Sequence, residues 1–263
     1  SLYINDEFFE KPTERNSYLK VGTPRLDVVY EDGNILLADK KPGVLCHSAG
    51  EWDYNTLIAN IQAYAYQKGE WRPREENAFA PALCNRIDRN TCGIVIAAKN
   101  AESLRILNQK IRDRELTKLY LCIACGKVTP DSATLTAYLE KNSDTNTVKI
   151  SDKKTKSNLT IKTKYKVIAY NGENSLLKVD LLTGRTHQIR AHLAYIGHAL
   201  LGDGKYGNNK LNKKYGFKYQ ALCSYELHFK FTTDAGCLSY LDGKCFKAKA
   251  PDFVKMFGGN IKL

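Results

Sequence analysis

Asn85-Arg86-Ile87-Asp88-Arg89-Asn90-Thr91-Cys92-Gly93 runs directly into Ile94-Val95-Ile96-Ala97-Ala98, and an apolar approach, Ala80 to Leu83, precedes it. The short uninterrupted apolar run predicts a buried strand. The nine residues before it are charged and polar, so they predict a loop pinned between two buried segments, where a rigid scaffold usually presents chemistry. One carboxylate, Asp88, stands in that loop between Arg86 and Arg89. An isolated Asp more often just caps a turn through its own backbone. What favours chemistry is a second polar, basic stretch further along, Thr183-Gly184-Arg185-Thr186-His187-Gln188-Ile189-Arg190.

Outward from the first stretch, strands dominate. Asp27 to Tyr30 and Ile35 to Ala38 read as two strands joined by an Asp-Gly-type turn at 31–34. Asn55 or Thr56 caps a predicted helix through Gln67, with Leu57, Ile58, Ile61 and Ala65 on one face. Residues 101–112 carry Leu104, Leu107 and Ile111 at helical spacing. Lys118 to Ala124 reads as a strand, and 160–170 with 175–182 as a strand pair around Asn171-Gly172. Thr186 is expected to cap a helix that ends at Gly197. Further strands are expected at 219–232 and 237–247, then a short amphipathic helix after Pro251. Strands joined directly to strands predict an α+β fold with a central mixed, largely antiparallel sheet flanked by helices and loops.

Lys and Arg total 40 against 28 Asp and Glu in 263 residues, a net charge of +12 that fits a polyanionic partner. No segment approaches eighteen uninterrupted apolar residues, so no membrane span is expected. The opening residues show no leader-like pattern, which predicts a cytoplasmic protein whose eight cysteines are reduced. A monomer is expected.

Two motif matches carry little. Gly202-Asp203-Gly204-Lys205-Tyr206-Gly207 fits the dinucleotide pattern but follows a helix and turn and opens no apolar-periodic helix, so it reads as turn chemistry. Cys122 and Cys125 fit a CxxC, yet in a strand an odd separation points them to opposite faces. His187 and His192 are wrongly spaced for two ligands on one helical face, and no metal is expected. The basic patches say more. Residues 141–166 hold eight Lys against Asp144 and Asp152, and 205–218 hold five Lys interleaved with Tyr206, Tyr215 and Phe217. Lysines neutralise phosphates without reading sequence, and aromatic faces stack on unpaired bases. An arginine brought beside Asp88 would keep its carboxylate ionised, a competent nucleophile or electrostatic stabiliser. With one candidate carboxylate in these motifs, paired-carboxylate glycoside hydrolysis is disfavoured.

The stretch 85–93 resembles the HRLDxxTSG signature of the RluA-type pseudouridine synthases. Lys118-Leu119-Tyr120 is similar to the family's KxY element. Leu182 to Leu193, continuing to Gly202-Asp203 and Tyr206-Gly207, is similar to its third motif almost letter for letter, and Asp39 to Gly43, Ala221-Leu222 and Leu227 also fit. The resemblance spans about residues 26–232. It implies the pseudouridine synthase fold and isomerisation of uridine to pseudouridine in structured RNA, with no cofactor. Large-subunit ribosomal RNA is the expected substrate, with transfer RNA or a non-catalytic role in ribosome assembly as alternatives.

By the same resemblance Asp88 is the catalytic carboxylate, attacking ribose C1′ or uracil C6 or assisting a glycal. Tyr120 packs on the uracil, Arg185 pairs with Asp88, Leu222 completes an apolar wall, and Arg86 fills the space left by the flipped base. His187 and Arg190 are expected beside the substrate. Asn85, Cys92 and Ala199 depart from the family's usual His, Ser and Pro. Residues 1–23 resemble the linker that follows an N-terminal αL-type RNA-binding module, with the catalytic domain at 24–263.

Overall fold

The computed structural model describes residues 16–50, 53–75, 78–258, 261 and 263. It divides into two compact units, Ser1–Leu116 with Phe229–Phe246, and Thr117–His228 with Lys247–Leu263.

In the first unit β1 (Val28–Glu31) and β2 (Ile35–Lys40) form the expected hairpin, its turn closed by the Asp32 carboxylate, which accepts from the backbone N–H of Asn34 at 2.7 Å and of Ile35 at 2.9 Å. β4 (Cys92–Ala98) lies antiparallel to β2, with Leu37 opposite Ile96, and β3 (Ala82–Leu83) pairs with the far end of β4. Residues 94–98 are all buried, as an apolar run without alternation requires. α1 (Leu57–Gln67) is capped by Thr56, whose hydroxyl accepts from Ala59 N–H, and α2 (Ala101–Arg112) by Asn100, whose side chain accepts from Ser103 N–H.

Of the expected linker at 1–23, residues 1–15 lie outside the described ones. Ser17–Lys20 is a 3₁₀ turn, and Tyr18 and Val21 are buried against Ala59, Ala63, Ala65 and Trp71. The aromatic ring of Tyr18 meets Trp71 edge-on at 4.8 Å. Tyr18 and Val21 thus belong to the core. The strand expected at 237–247 is corrected: Gly236–Leu241 is a 3₁₀ helix, and only Cys245–Lys247 is extended. Gly236 adopts φ +48°, and its N–H is taken by the Asp234 carboxylate, which starts a turn where a strand would need extended backbone.

Among the described residues the second unit holds six strands: β5 (Leu116–Cys125), β6 (Ser132–Asn142), β7 (Thr147–Ser151), β8 (Leu159–Tyr170), β9 (Asn174–Leu181) and β10 (Leu222–Phe229), in spatial order β10-β5-β9-β8-β6-β7. β5–β9, β9–β8, β8–β6 and β6–β7 are antiparallel, and an isolated bridge from Gly126 to Asn174 is parallel. α3 (Gln188–Tyr195) covers one face, where Ala191 packs on Ala137, Leu139, Val148, Ile150 and Ile161. α4 (Asn209–Lys214) follows a turn of the kind expected at 202–207. At Gly202, φ is +80° and an added Cβ would lie 2.1 Å from the Tyr219 carbonyl oxygen, so only glycine fits. The helix expected after Pro251 is a 3₁₀ turn at Asp252–Phe257. The class is α+β, as the sequence predicts. No helix among the described residues is long and apolar enough to cross a membrane.

Candidate active site

Asp88 sits, half-buried, on the loop between β3 and β4, its carbonyl accepting from Thr91 N–H at 3.1 Å in a tight turn. The loop is held from below by a residue the sequence reading used only as part of a motif. Lys40 ends β2 with 1% of its surface exposed, and its ammonium donates to the carbonyls of Lys41 (3.0 Å), Val44 (2.8 Å) and Arg89 (2.9 Å). One buried cation thus clasps two segments far apart in sequence. The Arg89 carbonyl also accepts from Gly43 N–H at 2.9 Å, and the Arg89 guanidinium returns a bond to the Gly43 carbonyl at 3.1 Å. On the other side the Cys46 thiol reaches the Ile87 carbonyl at 3.5 Å, and Asn85 accepts from Ile96 N–H at 2.8 Å.

Asn85, where the family's His is usual, therefore ties the loop to β4. Arg86 is exposed and Ile87 buried, so alternate residues of the loop face solvent and core.

Burial lowers the Lys40 ammonium to about 8, against the pull of Cys46, Cys92 and Asp88. Lys40→Met keeps most of the volume and removes all three donors. It is expected to cost roughly 2–4 kcal/mol, because carbonyls are left buried without partners. Thermal melts beside wild type check this; an unchanged Tm would show that the clasp contributes nothing to stability.

In the second unit Tyr120 lies on β5 opposite Val179 of β9, which lies opposite Tyr165 of β8, so the three share one face of the sheet. All three are buried. That is the face covered by α3, because Tyr165 and Ile161 stand at alternate positions of β8. Leu222 begins β10 and is buried.

Arg185 belongs to an exposed loop whose shape is set by Gln188, a residue not singled out from the sequence. The Gln188 side-chain oxygen accepts from the Thr183 hydroxyl at 2.9 Å and from Arg185 N–H at 3.1 Å, while its amide nitrogen donates to the Lys162 carbonyl and the Thr163 hydroxyl, both at 3.0 Å. This moves the helix start. His187, not Thr186, is the N-cap of α3, at φ +52°, with no side-chain cap bond. The Gln188 side chain anchors the loop before the helix rather than capping α3 itself. The signal was there: an amide at the first helical position, next to polar residues that need an acceptor.

His187 contacts the Tyr206 hydroxyl through Nδ1 at 2.9 Å, and that hydroxyl also accepts from Val148 N–H. Arg190, expected beside the substrate, is 6% exposed and makes two bonds to Asp203, Nε to Oδ2 at 2.7 Å and an Nη to Oδ1 at 3.0 Å. Those bonds give it a structural task. Asp203 is fully buried and accepts as well from the N–H groups of Lys205 and Tyr206. Burial alone would raise its carboxyl, but the Arg190 bonds and charge outweigh burial and hold it below the usual range. His192 is kept neutral, near 4, by burial, with Nδ1 on the Thr163 hydroxyl. His187 and His192 thus serve different partners. Burial likewise pushes the Cys122 thiol up, in keeping with a core residue.

The family model described as RNA pseudouridylate synthase matches residues 34–195. The chain is 30% identical over 210 residues to the ribosomal large subunit pseudouridine synthase D of Borreliella burgdorferi, an alignment covering 78% of this chain and 63% of that protein. It is 30% identical over 225 residues to the mitochondrial tRNA pseudouridine(32) synthase of Saccharomyces cerevisiae, covering 80% and 46% respectively. It therefore spans less than two thirds of either relative. Among solved structures, human RNA pseudouridylate synthase domain containing 4 superimposes with a TM-score of 0.67 at 18% identity, covering 87% of this chain and 90% of that one, a likeness of fold.

Proposed function

Because this chain belongs to the RNA pseudouridylate synthase family, we propose that it converts uridine to pseudouridine within structured RNA, with large-subunit ribosomal RNA as substrate. The observation that carries the reading is the Asp88 loop: the family's signature carboxylate stands on a turn fixed from both sides by buried partners, which suits a group that must attack at one defined point.

In the reaction the C1′–N1 bond breaks, the freed uracil turns, and C1′ rejoins at C5, whose proton is released while N1 regains one. The exchange is redox-neutral and needs no electron carrier. Asp88 serves as the nucleophile, at C1′ or C6, or as the base that forms a glycal. Arg185 is the second catalytic residue that the motif resemblance implies. Tyr120 stacks on the uracil and assists loss of the C5 proton. The target base leaves its helix at a cost of a few kcal/mol, and Arg86 occupies the vacancy. The net charge of +12 supports capture of an RNA backbone.

A transfer RNA substrate is the second reading, favoured by the name of the yeast relative. Purified protein is incubated with large-subunit ribosomal RNA and with total transfer RNA, each carrying tritium at uridine C5. Tritium release from the ribosomal RNA is the expected result. Release from transfer RNA alone would transfer the assignment to that substrate, and release from neither would sink the activity.

A further inference from the structure

α3 covers one face of the second unit's sheet, and the opposite face is exposed and basic along β6 and β8, while on β5 and β9 it is covered at Leu121, Ile123 and Leu176. On β8 Lys162, Lys164 and Lys166 are all exposed, and directly across from them on β6 stand Thr136, Thr134 and Ser132, exposed too. On the other side of β8, Lys166 faces Lys178 and Lys164 faces Asp180 on β9. Residues opposite one another in an antiparallel pair share a face, and Tyr120, Val179 and Tyr165 occupy the alternate positions. The basic ladder therefore lies on the side of this sheet turned away from Tyr120.

We propose that this face is a second RNA contact, gripping the sugar–phosphate backbone of a helical segment outside the reacting uridine. It rests on the reading that the chain modifies RNA. Alternate residues on a strand repeat at roughly 6.6 Å, so the three lysines run along ~13 Å of backbone. A nucleic-acid strand carries a charge about every 3.4 Å of helix axis, so the ladder is long enough to span several phosphates. The parallel row of hydroxyls one strand away offers donors and acceptors to phosphate oxygens and 2′-OH groups. Tyr138, the aromatic residue on this side of β6, is half-buried, which suits backbone contact better than base stacking. Three acids share the face, one of them Glu140 on β6, which stands opposite Lys149. Glu226 is engaged by Lys178 at 3.0 Å and by Lys247 at 3.1 Å, and Asp180 stands opposite Lys164. The lysines at 162 and 166 carry the surplus.

The test replaces Lys162, Lys164 and Lys166 together by Thr, a good strand former that preserves the fold. A second variant removes three exposed charges from the other unit, at Arg105, Arg112 and Lys230. Binding of an RNA hairpin with a helical arm is titrated from 50 to 300 mM salt, with melting curves confirming folded protein. The lysine variant is expected to bind at least about tenfold more weakly at low salt, with the log-affinity against log-salt slope shallower by about 2–3. The control should keep the wild-type slope. A lysine variant whose slope equals wild type, or equals that of the control, overturns the proposal. The readout is binding, so a wild-type protein that binds the hairpin but converts no uridine would remove the functional reading and leave this result standing.

Discussion

Asp88→Asn is expected to lower tritium release from 5-tritiated uridine RNA by at least about a thousandfold, the scale of removing a nucleophile. The amide matches the carboxylate in size and removes its charge and nucleophilicity. The Asp88 backbone carbonyl that accepts from Thr91 is untouched, as are the Lys40 and Cys46 contacts of its neighbours. Loss of activity therefore reads chemistry rather than collapse of the loop, and an unchanged Tm is the control. The readout should be a single-turnover rate, which separates the chemical step from product release. If the variant turns over within tenfold of wild type, Asp88 is not the reacting group, whatever its place in the motif.

Arg190→Leu is expected to destabilise the protein by about 3–5 kcal/mol, the cost of leaving one member of a buried ion pair alone. Asp203 is fully buried and would keep only the N–H groups of Lys205 and Tyr206 as donors. For a chain of this size that is a fall in Tm of roughly 10 °C. Adding Asp203→Asn should recover part of the loss, because the stranded charge goes. The pH dependence has a definite sign. The Asp203 carboxyl is held below its unfolded value of about 3.9. Its contribution is therefore complete above that value and fades as pH falls through the lower, folded one. The gap between wild type and Arg190→Leu should narrow on acidification. A gap constant down to strong acid would show that the ion pair is not what the mutation removes.

How much of this was legible depended on whether a residue's surroundings lie near it in sequence. Ile94 to Ala98 is apolar throughout and could only be buried, and the periods of 57–67 and 101–112 with Thr56 and Asn100 before them fixed both helices. β6 and β7, with one lysine each, stand outside the elements that the sequence predicts. Yet Thr134, Leu135, Thr136, Ala137 and Leu139 alternate outward and inward with period two, the signal of a half-buried strand. The motif residues themselves stood out at once. Their supports did not: Lys40 reaches Arg89 across the whole of α1, and Arg190 finds Asp203 only because the chain turns at Gly202. Nothing in a run of letters shows that a motif arginine is turned inward, as Arg190 is toward Asp203.

The first unit is discontinuous. α2 presents Lys110, whose ammonium donates to the carbonyl and hydroxyl of Thr233 at 2.6 Å, and Ile106 approaches Gly236. Those partners belong to Phe229–Phe246, made only after all of Thr117–His228. During translation at roughly 5–20 residues per second, α2 must wait several seconds with its inner surface uncovered, while a complete sheet is synthesised in between. The second unit is itself completed only by Lys247–Leu263, so its own last segment is made after the piece that covers α2. A nascent chain arrested before residue 229 should remain open to protease near α2 even when its second sheet has folded, and that interval is where a chaperone would find it.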